Sequence, residues 1–326
     1  MSQGLSLLFV VDPLDQLKAY KDSSVAMMRE AAARGHDVWA CTPPQMRWSS
    51  DGASARVQAE AKLLSLSPAA SDPHAEWFVE RESGLQDVTS FDAVLMRKDP
   101  PFDMEYLYAT FLLETAQRQG TRVFNDPRAL RDHNEKFAIA EFADFAPPTL
   151  VTRDVEVIRT FLREHGDVVV KPLDGMGGMS IFRLRPDDAN LNVILETITR
   201  LGERTVMTQR FIPQIKEGDK RVLLIGGQPV PYSLARIPKA GETRGNLAAG
   251  GIGRAQPLTE SDKEIAAALG PVLAKRGLLL VGLDVIGDYL TEINVTSPTC
   301  FVEITQQTGF NVAGMFIDAL EKAVSK

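Results

Sequence analysis

The sequence has little sulfur with which to cross-link itself. Its two cysteines, Cys41 and Cys300, lie far apart with no CxxC, which excludes a disulfide framework and a thiolate zinc motif. The four histidines, His36, His74, His133 and His165, are scattered without metal spacing or a nucleophile partner pattern. No apolar run approaches the roughly 20 residues of a membrane span. The start lacks a basic stretch and a small-residue cleavage site, so no secretory signal is expected and a cytoplasmic location is. Cations are not in surplus. Lys and Arg total 36 against 43 Asp and Glu, a net charge of −7, which argues against a nonspecific nucleic-acid binder. No repeat and no low-complexity tract is present.

What remains is an ordinary globular composition, 44% hydrophobic and 24% charged over 326 residues. At roughly 150 residues per domain that length suggests two domains, or three small ones. Leu5–Val11 reads as a buried strand ended by Asp12-Pro13. A helix is expected over Ser23–Arg34, with Asp22 or Ser23 as cap and Gly35 as stop. Strands follow at His36–Cys41, Asp92–Met96 and Thr121–Phe124, with a helix over Glu105–Gly120. This alternation predicts a parallel α/β unit over residues 1–125. The stretch Arg47–Ser90 predicts an irregular or antiparallel insertion.

A second unit is expected over 126–205, with helices at Arg128–Phe142, Asp154–Glu164 and Leu191–Leu201 and strands at Asp167–Lys171 and Ser180–Leu184. A third is expected over 206–326, opened by a strand at Thr205–Phe211. Its further strands are Lys220–Ile225, Pro229–Ile237 and Leu279–Ile286, and its helix is Ser261–Arg276. The Gly-rich run Ala240–Gly253 predicts a mobile loop.

Three patterns carry chemistry. In Val168-Val-Val-Lys171-Pro-Leu-Asp-Gly175-Met-Gly177-Gly178 a strand delivers a lysine and then a glycine-rich hairpin. Glycines let backbone N–H groups approach phosphate oxygens; a plain tight turn is the alternative. In Gly282-Leu-Asp284 through Glu292-Ile-Asn294, a turn at Gly287-Asp288 would pair two strands. Asp284, Glu292 and Asn294 then form a set of hard oxygen donors suited to Mg²⁺; the alternative is a solvated strand face. Arg221, Arg236 and Arg244 could gather around a carboxylate and a transferring phosphoryl group, or each could be a surface charge. Arg97-Lys98-Asp99 follows a strand and Lys21-Asp22-Ser23 opens a helix. Both places bind ligands in open sheets, and a charged turn or a helix cap fits equally.

The strings KPLDGMGG, KRVLLIGG, PYSLARIPKAGETRGNLAAGG and VGLDVIGDYLTEINVTSPT resemble bacterial glutathione synthetases of the ATP-grasp superfamily. The resemblance extends through KDSS, MRKDPPFD and the NEK at Asn134–Lys136 over nearly the whole chain. It implies an ATP-grasp fold: an N-terminal parallel-sheet α/β domain, then two α+β subdomains enclosing ATP. The implied reaction joins γ-L-glutamyl-L-cysteine to glycine through an acylphosphate, giving ADP and phosphate. Lys136 and Lys171 match nucleotide-binding lysines, and Gly175, Gly177 and Gly178 a loop over the phosphates. Gln209, Arg210, Phe211 and Ile212 match an adenine hinge.

By the same resemblance Asp284, Glu292 and Asn294 hold Mg²⁺, with Mn²⁺ as a substitute. Arg221, Arg236 and Arg244 are catalytic. Lys21, Asp22, Ser23, Arg97, Lys98, Asp99, Ser297 and Pro298 bind peptide substrate. The implied assembly is a cytoplasmic homotetramer with no nucleic-acid or membrane partner. One departure stands at Ile252, where some relatives carry arginine; Arg254 is the replacement at hand. A dipeptide ligase of the D-alanine type and a non-catalytic nucleotide-binding protein are the competing readings.

Overall fold

The computed structural model describes residues 4–68, 75–239, 241–242, 245, 247 and 250–325. His74 and Arg244 lie outside the described residues, as do Ala240 and four further positions of the loop expected over 240–253. Three sheets are present among the described residues.

The first sheet contains β1 (Ser6–Val10), β2 (Asp37–Cys41), β3 (Met46–Ser50), β4 (Ala55–Leu66), β5 (Phe78–Asp87), β6 (Ala93–Met96) and β7 (Val123–Phe124). Its order is β3-β4-β2-β1-β6-β7, with β5 paired to β4. β2, β1, β6 and β7 run parallel. They are joined by α1 (Ser23–Ala33) and α2 (Met104–Arg118), which cover the sheet's faces as parallel strands require. Asp22 caps α1 by accepting from the backbone N–H of Ser24 (2.7 Å) and Val25 (3.0 Å). The stretch expected to be irregular or antiparallel is the ribbon β3-β4-β5, antiparallel throughout.

The helix expected over 128–142 is broken. α3 spans only Pro127–Asp132, and a 3-10 stretch covers Phe137–Phe145. The cause is local. The Asn134 side chain accepts from the N–H groups of Lys136 and Phe137, competing with helical bonding and starting a new turn.

The second sheet is antiparallel, in the order β10-β9-β11-β8, from β8 (Thr149–Thr152), β9 (Val168–Pro172), β10 (Phe182–Leu184) and β11 (Val206–Arg210). Helices α4 (Val155–His165) and α5 (Leu191–Thr199) supply Ile158, Leu162, Leu195 and Ile198 to a core of its own. The unit boundary expected between 205 and 206 cuts this sheet, because β11 pairs with both β8 and β9. β10 is shorter than expected because Ser180 sits at φ +56°, outside strand geometry.

The third sheet runs β15-β14-β12-β16-β17, with β13 on β12. Its strands are β12 (Asp219–Ile225), β13 (Gln228–Pro229), β14 (Tyr232–Ile237), β15 (Ile252–Pro257), β16 (Leu280–Ile286) and β17 (Tyr289–Asn294), with α6 (Glu260–Lys275) between β15 and β16. β15 takes in Ile252 and Gly253, which had been expected in the loop. The chain closes with α7 (Phe301–Thr308) and α8 (Val312–Val324). These two pack back on the first sheet, where Phe301, Phe316 and Leu320 share a core with Phe9, Met27 and Met28. A second shared core joins Val10 and Met96 to Val222, Leu269 and Val285. The first and third sheets are thus packed as one body.

Lys220 points away from the cavity described below and donates to Asp262 of α6, whose residue surface is 0% exposed. Asp262 also accepts from the Thr259 N–H at 3.0 Å in a capping box. Removing one partner of such a buried pair strands the other's charge. Asp262→Ala is expected to cost about 3–5 kcal/mol in urea unfolding, and the double variant Lys220→Met with Asp262→Leu less. A loss no greater than that for the exposed Lys263–Glu260 pair would contradict this.

Candidate active site

The β16–β17 hairpin turns at Gly287-Asp288, where Gly287 adopts φ +58°, the sign that a two-residue hairpin turn demands. Next to the turn Ile286 faces Tyr289 and Val285 faces Leu290. The register then shifts between Asp284 and Val285, so that Asp284 faces Glu292 and Gly282 faces Asn294. Thr291 is the extra residue of this bulge, and its hydroxyl donates to the Asp284 carbonyl at 3.1 Å.

Neighbouring strands bring the cations. Arg221 of β12 stands opposite Asp284 in the ladder, and its Nε donates to Asp284 Oδ1 at 2.6 Å. Arg236 of β14 stands opposite Asp219. Its Nη2 bonds both Asp219 Oδ2 (2.6 Å) and Asp284 Oδ2 (2.9 Å). From the second sheet Lys171 reaches Glu292 Oε1 at 3.4 Å, and Lys136 reaches the same oxygen at 3.5 Å. Burial alone would lift both carboxyls. Arg221 and Arg236 outweigh it at Asp284, and Lys136 and Lys171 outweigh it at Glu292, so both are held below the ordinary carboxylate range. Burial lowers Lys171, against the pull of Glu292.

These groups line a cavity of about 310 Å³ between the second and third sheets. Gln209, Arg210, Phe211 and Ile212 form one part of its wall and Gly175, Gly177 and Gly178 another. Gly175 has no room for a side chain, since a Cβ there would lie 2.7 Å from Pro172. Its carbonyl accepts from Lys136 Nζ at 2.6 Å, which ties the loop to the lysine. Gln209 Nε2 donates to Thr149 Oγ1 at 3.0 Å, and the Arg183 guanidinium stacks 3.6 Å from the centre of the Phe211 ring. Asp99, Ser297 and Pro298 border the same cavity, and Ser297 donates to Asp99.

Five residues expected at the substrate do not border it. Asp22 caps α1, and Ser23 Oγ accepts from the Phe301 N–H at 3.2 Å. Lys98 pairs with Asp12 at 2.8 Å. Lys21 and Arg97 are likewise absent from the lining. These runs follow strand ends and open a helix, where the chain supports the wall from behind. Arg254 is exposed on β15 and also takes no part. Arg244 lies outside the described residues. Conversely, Glu135 and Asp219 line the cavity without having been singled out. Glu135 Oε1 accepts from the N–H groups of Val295 (2.9 Å) and Thr296 (3.0 Å). Asp219 stands two residues before Arg221 on one strand face, the signal by which it could have been found.

The donor set is two carboxylates and one amide. Asn294 Nδ2 donates to the Gly282 carbonyl at 3.2 Å, which commits the amide's nitrogen and leaves its oxygen as the acceptor for a cation. Such a set suits a hard divalent ion that takes further oxygens from a phosphate. Among the described residues no cluster of three His, Cys, Asp or Glu side chains offers a metal site.

Two family models cover the chain. That of the prokaryotic glutathione synthetase N-terminal domain matches residues 5–131, and that of the same enzyme's ATP-grasp domain matches 135–309. A glutathione synthetase of Ralstonia nicotianae is 62% identical over 322 residues, covering 99% of this chain and 97% of that one. One of Nitrosomonas europaea is 56% identical over 322 residues, covering 99% of each chain. Among solved structures the D-cycloserine synthetase DcsG superposes with a TM-score of 0.67 at 17% identity, covering 98% of this chain and 99% of that one. The ATP-grasp ligase PsnB, complexed with a minimal precursor, Mg and ADP, gives 0.62 at 20% identity and covers 98% of each. At those identities the two structures speak for the ATP-grasp fold alone.

Asp219 makes the site's pH dependence testable. Burial pushes its carboxyl up to about 7 against the pull of Arg236, with Asp284 and Glu292 adding repulsion. A carboxyl whose folded pKa exceeds its unfolded one holds its proton longer in the folded state. Its contribution to stability therefore falls as pH rises from about 4 through about 7. Unfolding free energies of wild type and Asp219→Asn, measured from about pH 5 to 8, should diverge in the variant's favour as pH rises. A difference constant with pH would refute the assignment.

Proposed function

The chain belongs to the prokaryotic glutathione synthetase family, and from that membership we propose that it joins γ-L-glutamyl-L-cysteine to glycine while ATP becomes ADP and phosphate. It is a carboxylate–amine ligase of the ATP-grasp fold. The observation that carries the reading is the pairing of Asp284 and Glu292 with Arg221, Arg236, Lys136 and Lys171 in one cavity. Such an array can take a polyanion and a carboxylate together.

A carboxylate is a poor electrophile and must be activated before an amine can attack it. In the proposed sequence the dipeptide's cysteinyl carboxylate oxygen bonds to the γ-phosphorus, and the bond from phosphorus to the ADP oxygen breaks. The neutral amine of glycine then bonds to the acyl carbon and loses a proton as the bond from that carbon to the phosphate oxygen breaks and phosphate leaves. Lys136 and Lys171 are assigned to the nucleotide phosphates. Arg221 and Arg236 are assigned to the charge that spreads over the transferring phosphoryl oxygens. Gln209 to Ile212 are assigned to the purine and the Gly175–Gly178 turn to the triphosphate, which its backbone can approach.

Asp284, Glu292 and the Asn294 oxygen would hold Mg²⁺, or Mn²⁺ in its place. When bound, the ion would neutralise phosphate charge that the side chains alone must otherwise meet. No helix among the described residues is long and apolar enough to cross a membrane. A cytoplasmic homotetramer is the form the family resemblance implies.

The first test is ADP release by the purified protein with Mg·ATP, γ-glutamylcysteine and glycine, each omitted in turn. Release that needs all three, with a product of glutathione's mass, is expected; no release under any combination would sink the reading. Arg236→Ala and Glu292→Gln should each lower turnover by roughly a hundredfold to a thousandfold. Near-native turnover in both would overturn their roles. The ion pairs also set how the metal binds. The carboxylates are already neutralised by side chains, so Mn²⁺ followed by electron paramagnetic resonance should bind weakly alone. A non-hydrolysable nucleotide, by drawing the cations to its phosphates, should tighten it about tenfold or more. Equal affinity with and without nucleotide would contradict this.

A further inference from the structure

Arg97 does not border the cavity, yet it reaches the cavity's wall from behind. It follows β6 at the carboxyl edge of the first sheet and is 6% exposed. Its Nε donates to Ser24 Oγ at 3.1 Å, and its Nη2 donates to the Pro298 carbonyl at 2.9 Å. Its Nη1 is buried without a partner. Among the described residues no carboxylate is ion-paired with it. Asp22 and Asp99 act on it only through space. A guanidinium buried in this way is expensive, and an apolar side chain of similar length would spare the cost. Stability therefore does not account for it, whereas the atoms it holds do.

Those atoms belong to the segment Thr296–Cys300, all five residues of which line the cavity. The segment is strained: Cys300 sits at φ +90°, in the left-handed region, without being glycine. Strain of that kind persists only where the surroundings over-determine the backbone. The ties come from the edge of the first sheet, the start of α1 and the turn after α3. Asp99 holds Ser297, Arg97 holds the Pro298 carbonyl, Ser23 holds the Phe301 N–H, and Glu135 holds Val295 and Thr296. Pro298 has no N–H of its own, so its carbonyl is the backbone group by which it can be fixed.

We propose that Arg97, itself held by Ser24, is a positioning residue for the acyl substrate, fixing the wall Thr296–Cys300 through the Pro298 carbonyl and so setting the affinity for the γ-glutamyl dipeptide. The inference rests on the reaction proposed above. The second-sheet hinge and the glycine turn serve the nucleotide there, and the β16–β17 hairpin serves the phosphoryl group. The wall left for the dipeptide is Asp99 with Thr296–Cys300. Arg97 does not border the cavity that the nucleotide and the reacting atoms would occupy.

Steady-state KM values for γ-glutamylcysteine and for ATP, with nucleotide Kd and Tm, are compared in wild type, Arg97→Met, Arg97→Lys and Ser24→Ala. Losing a charge-assisted bond should raise the dipeptide KM about tenfold or more in Arg97→Met, with ATP KM and nucleotide Kd within about twofold. Arg97→Lys keeps the charge but not the fork that serves two acceptors, and should also raise it. Ser24→Ala should raise it less, and should add nothing in the Arg97→Met background. Equal rises in both KM values would overturn the proposal. So would a lowered Tm with an unchanged dipeptide KM. If Arg97→Met fails to fold, unchanged dipeptide KM in both Arg97→Lys and Ser24→Ala overturns it. Wild-type protein making glutathione in the same assay keeps this failure distinct from failure of the reaction assignment.

Discussion

Two ionised carboxylates on one hairpin, Asp284 and Glu292, are the fixed point around which the site is arranged. Neither could be buried alone, because an unpaired charge out of water is prohibitively costly. Each is met by two cations: Asp284 by Arg221 and Arg236 from its own sheet, Glu292 by Lys171 from the second sheet and Lys136 from the turn after α3. The first pair of contacts makes the third sheet self-sufficient. Lys171 reaches across the cavity, so the two sheets are joined at the place where a ligand would enter. Attraction between groups that could each take part of a nucleotide keeps the walls facing one another.

Much of this is legible in the sequence alone, and the limits are physical. Periodicity of two places Glu292 and Asn294 on one strand face, and the Gly-Asp turn makes a hairpin of the two strands. The runs of alternating helix and strand that form the first sheet are read from apolar periodicity and caps. What failed were segments whose fate is decided by distant partners. β8, among prolines, becomes a strand only because β11 pairs with it. β15 is glycine-rich at its start and is a strand because β14 is there to bond it. The helix expected through Lys136 was broken by a single asparagine side chain.

The site residues divide along a similar line. Arg221, Arg236, Lys136, Lys171 and the hairpin donors are brought to one cavity. Lys21, Asp22, Ser23, Arg97 and Lys98 are not. A charged run beside a strand end looks the same in sequence whether it touches a ligand or props the wall that does. Asp219 is illegible for the opposite reason, since an acid beside Lys-Arg looks like surface charge until burial is known. The mixed cores of the first and third sheets could not be read at all, because they join residues some 300 positions apart, such as Phe9 and Phe316.

The one-residue bulge at Thr291 has a consequence for how the hairpin can change in length. Counting outward from the turn, an unbroken ladder would set Asp284 against Thr291. Glu292 would then face the opposite side of the sheet, away from Asp284. The bulge takes up that odd residue and keeps Glu292 on the face of Asp284. Shortening the strand by Thr291 alone would close the ladder without a bulge and leave the two carboxylates opposite one another. What the extra residue adds is the Thr291 hydroxyl on the Asp284 carbonyl and the local twist that a bulge brings to its strand.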